Sequence, residues 1–299
     1  MHAVAFDRAD SPTEGRTSLR VAVPMGSKWA PLASALLAEA GFDLGQRTDP
    51  AQRRVADPAN DVEFFFLPNR DIACYVAQGA VDLGITARDL ALDSGEPVRT
   101  IQALGFGHTM LRYAGPADAD WQVRDLAGKR IATTYPRLVA AHLAQRGITA
   151  DVIMINGKVE AAVVLGVADV VADGVVTGDT LRAHGLTPFG PPICTSQAVL
   201  VERAGAAASP ARERFTRALL DVVFAQCVST LLCDCHRDLL EVAREVCVGI
   251  AAPTVEPLAD PDWVAVHTTV PHHAAGVLMG QLASAGARSV RLAQLVHRC

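Results

Sequence analysis

The chain has 299 residues, of which 50% are hydrophobic, 20% charged and 5% aromatic. This composition excludes a disordered or collagen-like chain, and the length predicts about two domains at roughly 150 residues each. Lys and Arg total 27 against 32 for Asp and Glu, a net charge of -5. That balance argues against a general nucleic-acid-binding protein, although a local cationic pocket for phosphates is still allowed.

Features that report on cellular location point to the cytoplasm. The 7 cysteines are odd in number and irregularly spaced, which disfavours a disulfide framework and favours a reducing compartment. Residues 1–17 contain acids and no apolar run of signal-peptide length, so we interpret them as a flexible extension. Because no segment approaches the roughly 18–20 apolar residues of a membrane span, we expect a soluble protein.

Short aliphatic runs alternate with helical patterns along the first two thirds of the chain. A predicted strand at 19–24 leads into a predicted helix at 29–41, which ends at Gly41. Further strands are predicted at 62–67, 81–86, 130–134, 151–155, 169–173 and 193–201, and helices around 70–78, 136–146, 158–165 and 177–184. This alternation favours a largely parallel sheet, in which ligands bind beyond the carboxyl ends of the strands.

The chain also shows signs of internal organisation. Segments 79–86 and 166–173 share a Gly-x-x-Asp-aliphatic pattern, which two related α/β lobes with a ligand cleft between them would explain. Chance similarity between aliphatic strands is the alternative. The small-residue segment 202–211 predicts a boundary before a long helix near 211–232. Residues 236–299 then predict helix, strand, strand, helix and strand, which is typical of a small α+β sandwich.

The segment 169–181 carries the most informative candidate site. A predicted strand enters a Thr-Gly-Asp-Thr loop at 177–180 that opens a helix, where backbone N–H groups and two hydroxyls would converge on an anion. Asp173 before the loop and Glu160 upstream could hold ribose hydroxyls or a Mg²⁺ shared with a pyrophosphate. The alternative is a helix capped by Thr177 with no ligand.

Two loops after other predicted strands are further candidates. After the first strand, Lys28, preceded by Ser27, could supply a point charge for phosphate. After the strand at 81–86, contacts to a nucleotide could come from Thr86, Arg88 and Asp89. An ordinary helix start with a surface ion pair is the alternative for this second loop.

A Cys-x-Cys-His cluster at 233–236 contains residue types that bind zinc. It lacks a second ligand pair at a fixed spacing, and His272 and His273 are only speculative partners. We therefore predict no metal site from it.

Together these segments resemble the long form of the ATP phosphoribosyltransferase family, the enzymes of the first step of histidine biosynthesis. The segments that carry the resemblance are 19–24, 81–86, 104–107, 125–136, 159–160, 165–169, 177–181, 252–258 and 259–264. The resemblance implies a two-lobed α/β core like the type II periplasmic binding proteins, with lobe I at 18–108 and 185–210 and lobe II at 109–184. It also implies a regulatory ferredoxin-like α+β domain at 211–299 that binds histidine, and a homo-oligomer, either a dimer or a hexamer.

The reaction implied by the resemblance joins N1 of the adenine of ATP to C1 of phosphoribosyl pyrophosphate and releases pyrophosphate, with Mg²⁺ present. Its catalytic residues would be Glu160 and Asp173, which face the ribose. The ribose 5-phosphate would be held by the loop, so that the phosphoribosyl-binding residues are Asp173, Thr177, Gly178, Asp179 and Thr180. The nucleotide or acceptor cleft would be lined by Ser27, Lys28, Thr86, Arg88, Asp89, Tyr135 and Lys158.

The chain departs from the family's usual pattern at positions in this cleft. Met-Gly-Ser-Lys at 25–28 replaces Asn-Lys-Gly-Arg or something close, Pro68 replaces an Arg, Ala87 replaces a Gly, and Lys158 replaces a small residue. Within the phosphate loop, Asp179 places a carboxylate where the phosphate would bind. If this carboxylate pointed at the phosphate, it would repel it by on the order of 1 kcal/mol. We expect Lys158 to offset that charge.

Three functions therefore stay open at the level of sequence. The first is a divergent working ATP phosphoribosyltransferase, and the second is a glycosyl-transfer enzyme of the same fold with another acceptor in specialised metabolism. The third is a non-catalytic, small-molecule-binding regulatory paralogue. Retention of Thr177, Gly178 and Thr180 favours sugar-phosphate binding, whereas loss of the usual Lys and Arg positions argues against tight handling of a triphosphate or pyrophosphate.

Overall fold

The computed structural model describes residues 18–26, 28–45, 52–246, 250 and 252–294. The predicted extension at 1–17 lies outside them. The chain divides into two compact units. The first contains the chain up to Ala35 and the segment from Asp43 to Glu213. The second contains Leu36–Phe42 and the chain from Arg214 onward. In the part of the chain that the structure describes, no helix is long and apolar enough to cross a membrane.

The first unit contains two β-sheets with helices packed on them. Its strands are, in chain order, β1 (Leu19–Met25), β2 (Arg54–Asp57), β3 (Val62–Pro68), β4 (Leu83–Ala87), β5 (Val98–Ala103), β6 (Thr109–Pro116), β7 (Arg130–Thr133), β8 (Asp151–Met154), β9 (Val170–Val175), β10 (Leu186–Ser196) and β11 (Ala198–Arg203). Its helices are α1 (Ala30–Glu39), which continues into the second unit, α2 (Ile72–Ala77), α3 (Arg88–Ser94), α4 (Pro136–Ala144), α5 (Glu160–Val164) and α6 (Asp179–Ala183).

Both sheets share one strand arrangement, and each defines a lobe. Lobe I has the order β3-β1-β4-β11-β5, with β2 added at the β3 edge, and lobe II has the order β8-β7-β9-β6-β10. In each, the first three strands run parallel and the fourth runs antiparallel to the third. This repeated order confirms the predicted two-lobed core of the type II periplasmic-binding-protein kind.

Apolar side chains cover both faces of the central strands. Val21, Ala22 and Val23 follow one another along β1, and all are fully buried. Val170, Val171 and Ala172 on β9 are equally buried. Parallel strands covered by helices on both faces need such continuous apolar runs, so their polar residues are left to the loops at the strand ends. The candidate site residues follow these strands for that reason.

The chain crosses between the lobes twice, and the two crossings bond to each other. The N–H of Ala198 donates to the carbonyl of Phe106 at 2.9 Å, and the N–H of Leu104 donates to the carbonyl of Ala198 at 2.9 Å. The side chain of Gln197 accepts from the N–H of Gly105 at 3.3 Å. The junction between the lobes is therefore a hydrogen-bonded pair of segments.

The predicted strand at 193–201 is wrong, because this run contains the return crossing. Ser196 pairs with Thr109 in the lobe II sheet, whereas Ala198 pairs with Ala87 in the lobe I sheet. The chain thus changes sheets within two residues. The polar residues Thr195, Ser196 and Gln197 interrupt the apolar run there, but so short an interruption does not by itself predict a change of sheet. The sequence patterns also do not predict β2, β5 and β6.

The second unit is a β-α-β-β-α-β sandwich. After α7 (Pro210–Cys227), it comprises β12 (Val228–His236), α8 (Leu240–Val246), β13 (Thr254–Pro257), β14 (Trp263–Pro271), α9 (His272–Ser284) and β15 (Arg288–Gln294). The sheet order is β13-β14-β12-β15, and all described pairings are antiparallel. This topology is that of a ferredoxin-like domain, as the resemblance implies.

The predicted helix at 211–232 is too long. The helix ends at Cys227, and β12 begins at the next residue. From Leu231 to His236 the side chains alternate between buried and partly exposed, which is the period of a strand. Cys233 and Cys235 lie on the buried face and contribute to the apolar core of this unit.

The packing of the central strand β4 against α2 can be tested by a substitution at Gly84. A Cβ atom added at Gly84 would lie 2.5 Å from Cγ2 of Ile72 and 3.0 Å from Cγ2 of Val76. We expect Gly84→Ala to lower the free energy of unfolding by about 1–3 kcal/mol, because the two elements must move apart. Urea denaturation followed by circular dichroism measures the change.

The matched control is Gly276→Ala in α9, where an added Cβ meets nothing within 4 Å. We expect this variant to be as stable as the parent protein or more stable by about 0.5–1 kcal/mol, since alanine is the better helix former. An unchanged urea midpoint for Gly84→Ala would contradict the close packing of α2 on β4.

Candidate functional site

A cavity of about 480 Å³ lies at the carboxyl end of β9. Most of its lining comes from lobe II, and Lys28 from the loop after β1 in lobe I completes it. The lining residues are Lys28, Gly157, Lys158, Glu160, Asp173, Gly174, Val175, Val176, Thr177, Gly178, Asp179, Thr180 and Leu181. The structure thus brings together residues from three loops that the sequence presents as separate candidates.

The loop at 176–178 turns sharply from β9 into α6. Gly178 adopts φ +78°, a left-handed conformation that glycine adopts without strain, and is the N-cap of α6. Thr177 does not occupy the capping position; its hydroxyl donates to Oδ2 of Asp179 at 2.6 Å. The side chains of Thr177 and Thr180 are exposed toward solvent, and both residues line the cavity.

Asp179 is paired with a different cation from the one that the sequence suggests. The guanidinium of Arg182, one turn later in α6, forms the ion pair with its carboxylate. The hydroxyl of Thr177 and the guanidinium of Arg182 hold the pKa of Asp179 below its usual range. Arg182, which is one helical turn away, therefore supplies the charge offset that the sequence assigns to Lys158, and that expectation is wrong.

Two lysines give the cavity its positive charge. Lys28 and Lys158 are both exposed, and they belong to different lobes. Neither makes a salt bridge among the described residues. An ammonium group without an internal partner is free to neutralise a phosphate oxygen.

Carboxylates occupy the deeper part of the cavity. Glu160 is 6% exposed at the start of α5, and Asp173 lies on β9. Burial raises the pKa of Asp173 to about 6, and the charges of Glu160 and Asp89 act in the same direction. The N–H of Gly174 and the charge of Arg70 partly oppose this rise. Asp173 is therefore mostly ionised at neutral pH, at a cost in stability.

Tyr135 extends this cluster toward lobe I. It is the N-cap residue of α4, and burial raises the pKa of its hydroxyl, with the charges of Asp89 and Asp173 adding to the effect. Asp89 is fully buried, and burial raises its pKa, whereas hydrogen bonding from the hydroxyl of Ser196 lowers it. The ring of Tyr135 thus lies near the carboxylates of Asp89 in lobe I and Asp173 in lobe II.

The remaining candidates occupy other surroundings. Thr86 is buried, and its hydroxyl bonds to the backbone carbonyl and the side-chain oxygen of Asn69 at 2.9 and 2.8 Å. Arg88 is exposed at the first turn of α3. Ser27 lies outside the described residues. Thr86 and Arg88, like Asp89 and Tyr135, are not among the described residues that line the cavity.

Sequence reasoning did not single out Arg70 and Asp93. The guanidinium carbon of Arg70 lies 5.5 Å from the centre of the Tyr135 ring, and its Nη1 lies 3.5 Å from Asp93. Asp93 is only 5% exposed. An acidic residue in the last turn of a short helix is an unfavourable position for the helix dipole, and that is the signal which could have marked Asp93.

Comparisons with known proteins give one consistent result. The model of the family described as ATP phosphoribosyltransferase matches residues 68–222, and that of the HisG C-terminal domain matches 225–295. An ATP phosphoribosyltransferase of Mycolicibacterium gilvum is 50% identical over 281 residues, which cover 94% of this chain and 99% of the relative. One from Saccharopolyspora erythraea is 52% identical over 273 residues, covering 91% and 96%.

Among solved structures, the ATP phosphoribosyl transferase (HisG:HisZ) complex from Thermotoga maritima is similar with a TM-score of 0.59. The match covers 69% of this chain and 98% of that chain at 21% identity. At this identity the match supports the fold alone.

Asp173 makes the stability of the protein depend on pH. Its pKa of about 6 exceeds the unfolded value near 3.8, so the native state retains a proton that the unfolded state releases between these values. The buried charge therefore lowers stability as the pH rises through this window. We expect Asp173→Asn to raise the free energy of unfolding by about 1–3 kcal/mol at pH 7.5, and by much less near pH 4.

The control in the same cavity is Asp179→Asn. The pKa of Asp179 is lowered, so its charge favours the native state, and this variant should gain no stability at pH 7.5. Thermal unfolding of both variants across the pH range is the measurement. A stability gain for Asp173→Asn that is the same at both pH values would show that the charge is not its cause.

Proposed function

Because the chain belongs to the ATP phosphoribosyltransferase family, we propose that it joins N1 of the adenine of ATP to C1 of phosphoribosyl pyrophosphate and releases pyrophosphate. The observation that carries the proposal is the cavity at the end of β9, where a Thr-Gly-Asp-Thr loop faces two carboxylates and two lysines. A ribose with a phosphate at one end and a pyrophosphate at the other needs hydrogen-bond donors for the phosphate, cations for the pyrophosphate and acceptors for the sugar hydroxyls.

The loop at 177–180 would hold the ribose 5-phosphate. Gly178 has no side chain, so the backbone can approach the phosphate, and the hydroxyl of Thr180 can donate to its oxygens. The hydroxyl of Thr177, which donates to Asp179 in the structure, would turn from Asp179 to the phosphate when the substrate binds. Asp179 opposes this role less than an unpaired carboxylate would, since the guanidinium of Arg182 forms an ion pair with it.

Lys28 and Lys158 would stabilise the leaving group. As the bond from C1 to the pyrophosphate oxygen breaks, the electron pair stays on that oxygen, and negative charge grows there. The two ammonium groups approach from different lobes, so both reach the pyrophosphate only when the substrate lies between them.

Glu160 and Asp173 would act on the sugar. C1 becomes positively charged as the pyrophosphate departs and before the N1 lone pair completes the new bond. Ionised carboxylates beside the ribose hydroxyls favour this charge, and their partial burial strengthens the effect. Tyr135 and Asp89 would then lie on the adenine side of the reacting centre.

The donor set of the cavity also fits Mg²⁺. The ion prefers oxygen ligands and is commonly bound through one or two carboxylates together with substrate phosphates, which Glu160 and Asp173 match. When bound there, it would neutralise charge on the pyrophosphate. No larger group of candidate ligands occurs among the described residues.

The second unit would regulate the enzyme. We propose that it binds histidine as an effector, that the enzyme works in the cytoplasm, and that copies of the chain form a homo-oligomer, either a dimer or a hexamer. The ferredoxin-like topology and the HisG C-terminal domain match support the regulatory role. Exposed apolar side chains along its helices, such as Val242 and Val277, support self-association.

Incubation of the purified protein with phosphoribosyl pyrophosphate, ATP and Mg²⁺ tests the reaction. We expect release of pyrophosphate and an adduct with the mass of phosphoribosyl-ATP. Lys158→Ala should lower kcat/KM for phosphoribosyl pyrophosphate by about 10-fold or more, because one of the two leaving-group cations is lost. Lys129→Ala is the control, since Lys129 lies outside the cavity and near Trp121.

The other outcomes are equally informative. Binding of phosphoribosyl pyrophosphate without an adduct would contradict ATP as the acceptor and favour a different one. Absence of binding would favour a non-catalytic protein. Equal loss of activity in both lysine variants would exclude a specific role for Lys158.

Histidine regulation has its own test. We expect millimolar L-histidine to raise the melting temperature, because a ligand that binds only the native state stabilises it, and to inhibit adduct formation. D-histidine serves as the control. An unchanged melting temperature and rate with L-histidine would exclude an effector role for the second unit.

A further inference from the structure

Asp93 is a buried carboxylate with no role in the proposed chemistry. It lies at the end of α3 in lobe I and is 5% exposed. Its two oxygens have different partners, one in each lobe. Oδ1 accepts from the backbone N–H of Leu138 in lobe II at 3.0 Å, and Oδ2 lies 3.5 Å from Nη1 of Arg70 in lobe I.

The bond to Leu138 caps a helix of the other lobe. The first N–H groups of a helix have no partner within it, and a side chain at the N-cap normally accepts from one of them. Tyr135 occupies the N-cap of α4, but its side chain makes no capping bond. Leu138 is the third residue of that helix, so Asp93 supplies the missing cap from across the cleft.

The bond to Arg70 places a cation on the ring of Tyr135. The guanidinium carbon of Arg70 lies 5.5 Å from the ring centre, within the range of a cation–π contact. Asp93 therefore contacts two groups that hold Tyr135 in place. One is the first turn of α4, which follows Tyr135 in the chain, and the other is Arg70, which lies beside its ring. The hydroxyl of Tyr135 hydrogen-bonds with the carboxylate of Asp89, and a Cβ atom added at Gly174, the residue after Asp173, would lie 3.9 Å from the hydroxyl oxygen.

The end of α3 also contacts α4 through a side chain of lobe II. Gly95, the C-cap of α3, adopts φ +67°, and a Cβ atom at this position would overlap the guanidinium of Arg137 from α4. Lobe II side chains thus cover the end of α3 next to Asp93. The contact between the lobes beside Asp93 therefore includes this arginine side chain against the backbone of Gly95 as well as the two bonds of the Asp93 carboxylate.

We propose that Asp93 is a positioning residue: by capping α4 from the opposite lobe and anchoring Arg70, it holds Tyr135 in the cleft between Asp89 and Asp173. The assignment of a catalytic consequence rests on the proposed function. The orientation of Tyr135 itself does not, and it is measurable without turnover.

Nitration by tetranitromethane measures that orientation. The reagent attacks accessible phenolates, so in the parent protein Tyr135 should react slowly because it is partly buried and shielded by Arg70. We expect Asp93→Ala to increase the nitration rate of Tyr135 by about 10-fold, because a ring that moves toward solvent has a lower phenol pKa, and a fall of one unit gives ten times more phenolate. Tyr75, which is 43% exposed, is the internal reference and should react equally in both proteins.

Kinetics measures the consequence for the reaction. We expect Asp93→Ala to reduce kcat/KM for ATP by about 10- to 100-fold while the KM for phosphoribosyl pyrophosphate stays within about twofold, since the phosphate loop is not touched. Asp93→Asn keeps an oxygen that accepts from the Leu138 N–H but loses the charge toward Arg70. It should recover part of the loss, and adding Arg70→Ala to Asp93→Asn should cause less further loss than Arg70→Ala alone.

The matched control is Asp169→Ala. Asp169 has the same kind of partners, a backbone N–H at 2.8 Å and a guanidinium at 2.8 Å, both from Arg130, but they lie within lobe II and away from Tyr135. This variant should lose stability without changing Tyr135 nitration or either KM. Circular dichroism shows that each variant is folded.

The outcomes separate the two proposals. If folded Asp93→Ala leaves Tyr135 nitration unchanged, or changes it no more than Asp169→Ala does, the positioning role is overturned while the proposed reaction can still stand. Faster nitration in Asp93→Ala together with an inactive parent protein would support the positioning of Tyr135 and contradict the reaction.

Discussion

The loops of two separate sheets must converge on one cleft, and the rest of the structure depends on this constraint. Parallel strands buried on both faces have no room for polar side chains along their length, so chemistry is confined to their carboxyl ends. Lobe I contributes Lys28 and Asp89 at such ends, and lobe II contributes the phosphate loop with Asp173. Neither lobe has the complete set of groups. The scaffold can therefore be stable on apolar packing alone while the cleft holds groups that destabilise it.

The cleft separates charges of opposite sign over a short distance. Lys28 and Lys158 lie near the phosphate loop, whereas Glu160 and Asp173 are more deeply buried. A carboxylate that loses water resists ionisation, and the raised pKa of Asp173 is the result. Such an arrangement costs stability in the free protein, but it presents fixed charges to a substrate that is anionic at both ends and becomes cationic between them.

Local patterns predicted most of the scaffold but not its crossings. The runs at 19–24, 62–67 and 130–134 coincide with strands, because parallel strands leave a continuous apolar signature. The strand at Val228–His236 was missed, although its alternating second half carries the period of a strand, since it directly continues an amphipathic helix. The split at Gln197 is marked only by the short polar segment 195–197, which is too brief to be distinguished from a polar position within one strand.

The phosphate loop was predictable, and its surroundings were not. Thr177 to Thr180 are neighbours in sequence, so their shared geometry follows from a single strand–loop–helix pattern. Arg70 and Tyr135 are 65 positions apart and belong to different lobes, and only the folded chain brings them together. The cation that offsets Asp179 was assigned wrongly for a different reason. Arg182 is one helical turn away, and side chains three or four residues apart on a helix lie close enough to form an ion pair.

The place of β11 in lobe I also governs the order in which a nascent chain can fold. Strand β5 pairs with β11, and β11 separates it from β4, so residues 98–103 have no sheet partner until residues 198–203 have left the ribosome. In lobe II, β6, β7, β8 and β9 are all complete once residue 175 has emerged, and β10 adds only an edge. Lobe II can thus assemble before lobe I is complete. Until β11 is available, the edge of β4 in lobe I stays unpaired and exposed to other chains.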